Sequence, residues 1–195
     1  VIPDMNFVLE NNPTDTFAYH YRGYSYKMTS EYEKAIEDFT DYIGFLPNNA
    51  VSYYNRGTSY KRLGDLLLSV EDLTMAIALM DKTDTSDVYY YHFERGFSYY
   101  GLGKYRLAIE DYNKSIDVQR TYPTTYFNRA LAFKALENFP FAIADFEKAI
   151  SIDSTEIDYY YYLGESYYFF EKYDKSKESF EKVLKLNKND EWGNY

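Results

Sequence analysis

Four arginines stand in one repeated setting: Arg22, Arg56 and Arg95 precede a glycine and Arg129 an alanine, in YHYRGYSY, YYNRGTSY, YHFERGFSY and YFNRALAF. An Arg-Gly step can serve a nucleic-acid contact, an anion site or a tight turn. With 31 acidic against 21 basic residues, the net charge of -10 argues against nonspecific nucleic-acid binding, which rests on neutralising phosphates. The chain has no cysteine, so it offers no thiol nucleophile, no Cys-based zinc site and no disulfide. Its two histidines, His20 and His92, lack metal-ligand spacing. No HExxH, nucleophile elbow or phosphate-cradling glycine loop occurs. The letters NKS at Asn113 match a glycosylation acceptor, but Ser115 falls on a packing side. The expectation is no catalytic residue, no metal, no cofactor and no enzyme within this segment.

The arginines are better explained by what recurs around them. The small residue of each motif falls at Gly23, Gly57, Gly96, Ala130 and Gly164, with spacings of 34, 39, 34 and 34 residues. A motif that returns at a fixed period is architecture before it is chemistry. Units counted from Thr16, Ala50, Tyr89, Pro123 and Ile157 carry Tyr19, Tyr53, His92, Tyr126 and Tyr160 at the fourth place. They carry Tyr26, Tyr60, Tyr99, Phe133 and Tyr167 at the eleventh, so the fourth, eighth and eleventh places share one helix face. After a break, a second helical run sets Tyr32, Ala35 and Phe39, and their counterparts, on one side. Each unit therefore reads as two antiparallel helices, A and B, with small residues where large ones would hold the backbones apart.

Punctuation agrees. Pro13 and Pro47 fall just beyond B helices, Pro123 starts an A helix, and Pro140 lies in the first turn of a B helix. The polar DKTDTSD between repeats two and three is either a longer loop or an extended B helix. Residues 1–15 read as the tail of a preceding helix and a linker, 16–190 as a single array, and 191–195 as the start of a further helix or a disordered end. Without a clear cap at either end, the chain is expected to be a fragment of a longer solenoid, or to pair its open ends with another copy.

The pattern resembles the tetratricopeptide repeat family, whose 34-residue unit is a helix–turn–helix. The resemblance covers Thr16 to about Asn189. It departs from the family at Tyr42, where a small residue is usual, at Ala130 in place of Gly, and in the missing terminal prolines of repeats two to five. It implies an all-α, right-handed superhelical solenoid. The family's carboxylate clamp, which grips chaperone tails, is absent: Asn55 and Asn128 fit its middle place, but His20, Tyr24, Tyr90 and Glu94 flank one, and Phe93, Phe97, Asp158 and Tyr162 the other.

Two sets of side chains follow. Arg22, Arg56, Arg95 and Arg129 at the seventh place are matched on helix B by Asp38, Asp72, Asp111 and Asp145, and in the fifth unit both partners vanish, to Leu163 and Ser179. Ion pairs within each unit are expected. In this family the second, fifth, ninth and twelfth places of helix A line the concave groove, as the resemblance implies. Here they supply Tyr24, Lys27, Tyr54, Lys61, Tyr90, Phe93, Phe97, Tyr100, Phe127, Lys134, Tyr161 and Tyr168, with Tyr90, Phe93, Phe97 and Tyr100 as central anchors. Aromatic rings dominate interface energetics. The expected function is a protein-interaction scaffold binding a peptide of a partner in this groove. The alternatives are a structural or self-associating module forming a homo-oligomer, and the docking arm of a larger protein with catalysis elsewhere. With 46% hydrophobic residues but no long apolar run, membrane insertion is not expected. The compartment stays open, the cytoplasm being the expectation.

Overall fold

The computed structural model describes residues 1–80 and 88–192, of which 188–192 by backbone only; DKTDTSD lies outside the described residues. Among the described residues the chain is helical throughout, with no strand. It divides into two compact units, Val1–Gly103 and Lys104–Tyr195. The first unit holds α1 (Ile2–Asn11), α2 (Thr16–Met28), α3 (Tyr32–Phe45), α4 (Ala50–Leu63), α5 (Leu66–Leu79) and α6 (Val88–Gly101). The second holds α7 (Tyr105–Val118), α8 (Pro123–Ala135), α9 (Phe139–Ile152), α10 (Ile157–Phe169) and α11 (Tyr173–Trp192). The last helix runs on through Asp190–Trp192, where the sequence suggests a new one.

Local chemistry explains the boundaries. Asp15 and Asn49 cap α2 and α4, their side-chain oxygens accepting from the amides of Ala18 at 3.0 Å and Ser52 at 2.9 Å. Pro123 and Pro140 occupy first-turn positions of α8 and α9, where no backbone donor is lost. The turn from each A helix to its B helix passes through one residue of positive φ: Ser30 (64°), Gly64 (89°), Gly103 (72°), Glu137 (56°) and Glu171 (57°). Only two of the five are the glycine that this conformation favours.

Within each unit every helix packs on the next in sequence, and A helices also touch, α2 on α4, α4 on α6 and α8 on α10. The pairs are antiparallel: Tyr19 of α2 meets Phe45 of α3 at 6.0 Å between rings, while further along His20 meets Tyr42 at 5.3 Å. The small residues allow this approach. A Cβ at Gly57 would stand 3.0 Å from Asp72 Cβ and 3.1 Å from Leu73 Cγ; at Gly164 it would stand 3.0 Å from the Phe180 ring. Ala130 fits the same place in the fourth repeat and is fully buried. The cores consist of the expected B-helix positions, Phe39 and Leu73 in the first unit and Tyr112 and Phe146 in the second, none accessible to solvent.

Candidate functional site

The arginines are built into the packing. Arg22 Nε donates to Asp38 Oδ2 at 2.9 Å and its Nη2 to Oδ1 at 2.6 Å. Arg56 binds Asp72 through both at 2.8 Å, and Arg129 binds Asp145 through both at 2.7 Å. Arg95 and Asp111 belong to different units; Asp111 is buried. Each guanidinium also reaches back to the preceding B helix with Nη1, a contact the sequence reading missed. Its acceptors are Asn6 Oδ1 (2.8 Å), Thr40 Oγ1 (3.0 Å), Thr74 Oγ1 (3.0 Å) and Asn113 Oδ1 (2.6 Å). These four residues follow the same repeat and would have been found by asking what else recurs with the arginines. One arginine thus ties three helices, and α1 takes the part of a B helix through Asn6.

Burial raises the Asp38 carboxyl above its ordinary value, against the pull of Arg22, while the hydrogen bond to Asp38 raises Arg22. The pair forms against a desolvation cost, the usual condition of a buried ion pair. In the fifth repeat Leu163 packs with Ala130, Ile143, Phe146 and Tyr167. Glu147, at the place of Asn113, instead accepts from the Tyr167 hydroxyl at 2.5 Å. Burial, then Glu147, raises the Tyr167 phenol.

The expected groove residues separate into two classes. The second and ninth places of helix A lie furthest from the packing side, and in the first unit they expose Phe17, Tyr24, Val51, Tyr90 (38%) and Phe97 (40%), Thr58 alone being buried. The fifth and twelfth places lie about 60° nearer that side, and in α4 and α8 the fifth-place ring faces the next A helix. Tyr54 of α4 stacks on Tyr91 of α6 at 4.6 Å. Phe127 of α8 lies 4.9 Å from Tyr159 and 5.6 Å from Tyr162 of α10. Phe93, expected as a central anchor, is at such a place and only 8% exposed, so its ring serves packing and is not presented on the surface. Tyr100 is half-buried. In α10 the same two places carry Tyr161 and Tyr168, which are exposed.

The lysines at the twelfth place are rungs between A helices. Lys27 donates to Asn55 Oδ1 at 2.8 Å, Lys61 pairs with Glu94, and Lys134 pairs with Glu165 at 2.7 Å. Each also lies against a ring of the next A helix: Tyr54 at 5.2 Å, Phe97 at 4.6 Å and Tyr162 at 5.1 Å. Lys27, Tyr54 and Lys61 come together, with Arg62, Thr58 and Glu94, around a pocket of about 280 Å³ in the first unit. Burial pushes the Lys27 ammonium down to about 8, Lys61 and Arg62 adding to the effect of burial and Glu94 opposing it.

His92 is buried, and His20 is half-buried between Tyr21, Phe39 and Tyr42 with no partner for Nδ1. Ser115 is fully buried, while Asn113, on the exposed side, accepts from Arg129. Among the described residues no cluster of His, Cys, Asp and Glu could hold a metal, and no helix is long and apolar enough to cross a membrane.

The period, the paired antiparallel helices and the small residues at their crossings define a helical repeat protein of the interaction-scaffold class. Family models for the TPR repeat match residues 96–137, and for the tetratricopeptide repeat residues 123–156 and 157–190. The chain is a tetratricopeptide repeat protein. No curated protein matches its sequence. Among solved structures, a MamA protein is 21% identical with TM-score 0.83, over 92% of this chain and 96% of that one. MamA from Desulfovibrio magneticus RS-1 is 19% identical with TM-score 0.83, over 89% and 96%. YrrB, described as a TPR protein with an unusual peptide-binding site, is 16% identical with TM-score 0.78, over 93% and 91%. At these identities the likeness is one of fold.

Proposed function

We propose that the first unit binds an extended or helical peptide of a partner protein across the face formed by α2, α4 and α6. The observation that carries this reading is the set of exposed rings at the second and ninth places, Phe17, Tyr24, Tyr90 and Phe97. An exposed apolar surface of several neighbouring rings marks an interaction site, and aromatic anchors supply most of the binding energy at such sites. YrrB, of similar fold, carries a peptide-binding site. Lys27, Tyr54 and Lys61 bridge the same helices, Tyr100 is half-buried on α6, and Phe93 is buried. In the second unit Phe127 and Lys134 are engaged with α10, while Tyr161 and Tyr168 are exposed on α10.

The test is capture of partners by immobilised protein. The double variant Tyr90→Ala/Phe97→Ala should lose capture by about tenfold or more with its far-ultraviolet circular dichroism unchanged. Undiminished capture would remove the reading. A second reading rests on α10: Tyr161 and Tyr168 are exposed (44% and 57%) at places that in α4 and α8 are covered by the next A helix. That edge suits another helix, such as one from a second copy.

A further inference from the structure

We infer that the pocket bounded by Lys27, Lys61 and Arg62 is a carboxylate-binding site, receiving an Asp or Glu side chain of the peptide that lies on the α2–α4–α6 face. The inference rests on the peptide-binding reading and adds the chemistry of the ligand. Across the whole chain acidic residues outnumber basic ones by ten, yet this pocket gathers three cations around one carboxylate, Glu94. Glu94 is already paired with Lys61. Lys27 has only the neutral amide of Asn55 and the face of Tyr54, and among the described residues neither it nor Arg62 contacts a carboxylate. Desolvation of half-buried Lys27 outweighs the pull of Glu94, so its charged form is disfavoured, and an entering carboxylate relieves it. About 280 Å³ admits a side-chain carboxylate with its stem. The cations stand at the twelfth and thirteenth places of their helices, with Asn55 already engaged by Lys27, so the arrangement differs from the chaperone-tail clamp.

Protonation couples to this binding. Free Lys27 loses its proton near pH 8, so carboxylate affinity falls as pH rises through that value and Lys27 is neutralised. The groups that face it are Tyr32 from α3, Tyr54, Lys61 and Arg62 from α4, and Glu94 from α6. Lys27→Arg, which stays charged, isolates the contribution of Lys27.

Fluorescence anisotropy with labelled deca-glutamate and deca-glutamine peptides at low ionic strength reads the site directly. Deca-glutamate should bind at least about tenfold tighter than deca-glutamine, Lys27→Met should remove most of that preference, and the affinity should fall between about pH 7 and pH 9 in the wild type but not in Lys27→Arg. Equal binding of the two peptides, no binding, or an unaltered Lys27→Met variant overturns the inference. So does displacement by millimolar inorganic phosphate, which would mark a site for free anions. Any of these results beside lost capture in Tyr90→Ala/Phe97→Ala removes the pocket and leaves the aromatic face in place.

Discussion

Asp72 shows what an individual side chain contributes here. Its carboxylate satisfies two N–H groups of Arg56, whose side chain is 17% exposed. Asp72→Ala leaves that guanidinium desolvated and unpaired, so chemical denaturation should show a loss of about 3–5 kcal/mol, most of it recovered when Arg56→Leu is added. Retained stability with lost binding would instead make the arginines ligand groups. His20 contributes a pH dependence of its own. Burial lowers its folded value below 6.5, so the unfolded chain takes up the proton first as pH falls. This contribution to stability is complete above the ordinary histidine value and is lost below it. The melting temperature of the wild type should therefore drop more between pH 7 and pH 5 than that of His20→Phe.

The helix pairs owe their geometry to the turns and crossings between them. Glu137 and Glu171 hold the left-handed turn conformation where Gly64 and Gly103 sit in two other repeats. A side chain there costs about 1–2 kcal/mol, partly offset by the greater freedom glycine has when unfolded. Glu137→Gly should accordingly raise stability by up to about 1 kcal/mol, measured by urea midpoint at constant slope. At the crossing of α10 and α9, Leu163 replaces the arginine with an apolar contact to Ile143 and Phe146. Leu163→Ala should cost about 2–5 kcal/mol, and a loss below about 0.5 kcal/mol would show that the fifth pair is held elsewhere.

For the molecule as a whole, the open question between the two readings is which surface recruits a partner and whether that partner is another copy. If the first unit's face takes a peptide and α10 takes nothing, light scattering should give a monomer mass that is constant over about a tenfold range of concentration. A mass that doubles with concentration, and returns to monomer in Tyr161→Glu/Tyr168→Glu, would assign α10 to self-association. A net charge of -10 opposes association of copies through charge alone, so a dimer would have to rest on those rings.

Periodicity is a local property, and everything that depended on it could be read from the order of residues. The helix starts at Thr16, Ala50, Pro123 and Ile157, the small residues at the crossings, and Asp38, Asp72 and Asp145 opposite their arginines all follow from counting along the chain. Which groove positions remain in contact with solvent could not be counted. Counting sets the fifth place about 60° nearer the packing side than the second, but not how far it is covered: Tyr90 is 38% exposed and Phe93 only 8%. The same holds for charge: Lys27, Lys61 and Arg62 are ordinary cations in the chain, and they become a pocket with one neutral, one paired and one open partner only when α2, α4 and α6 lie side by side. Burial depends on neighbours distant in sequence, and so do the desolvation and pairing that give these groups their chemistry.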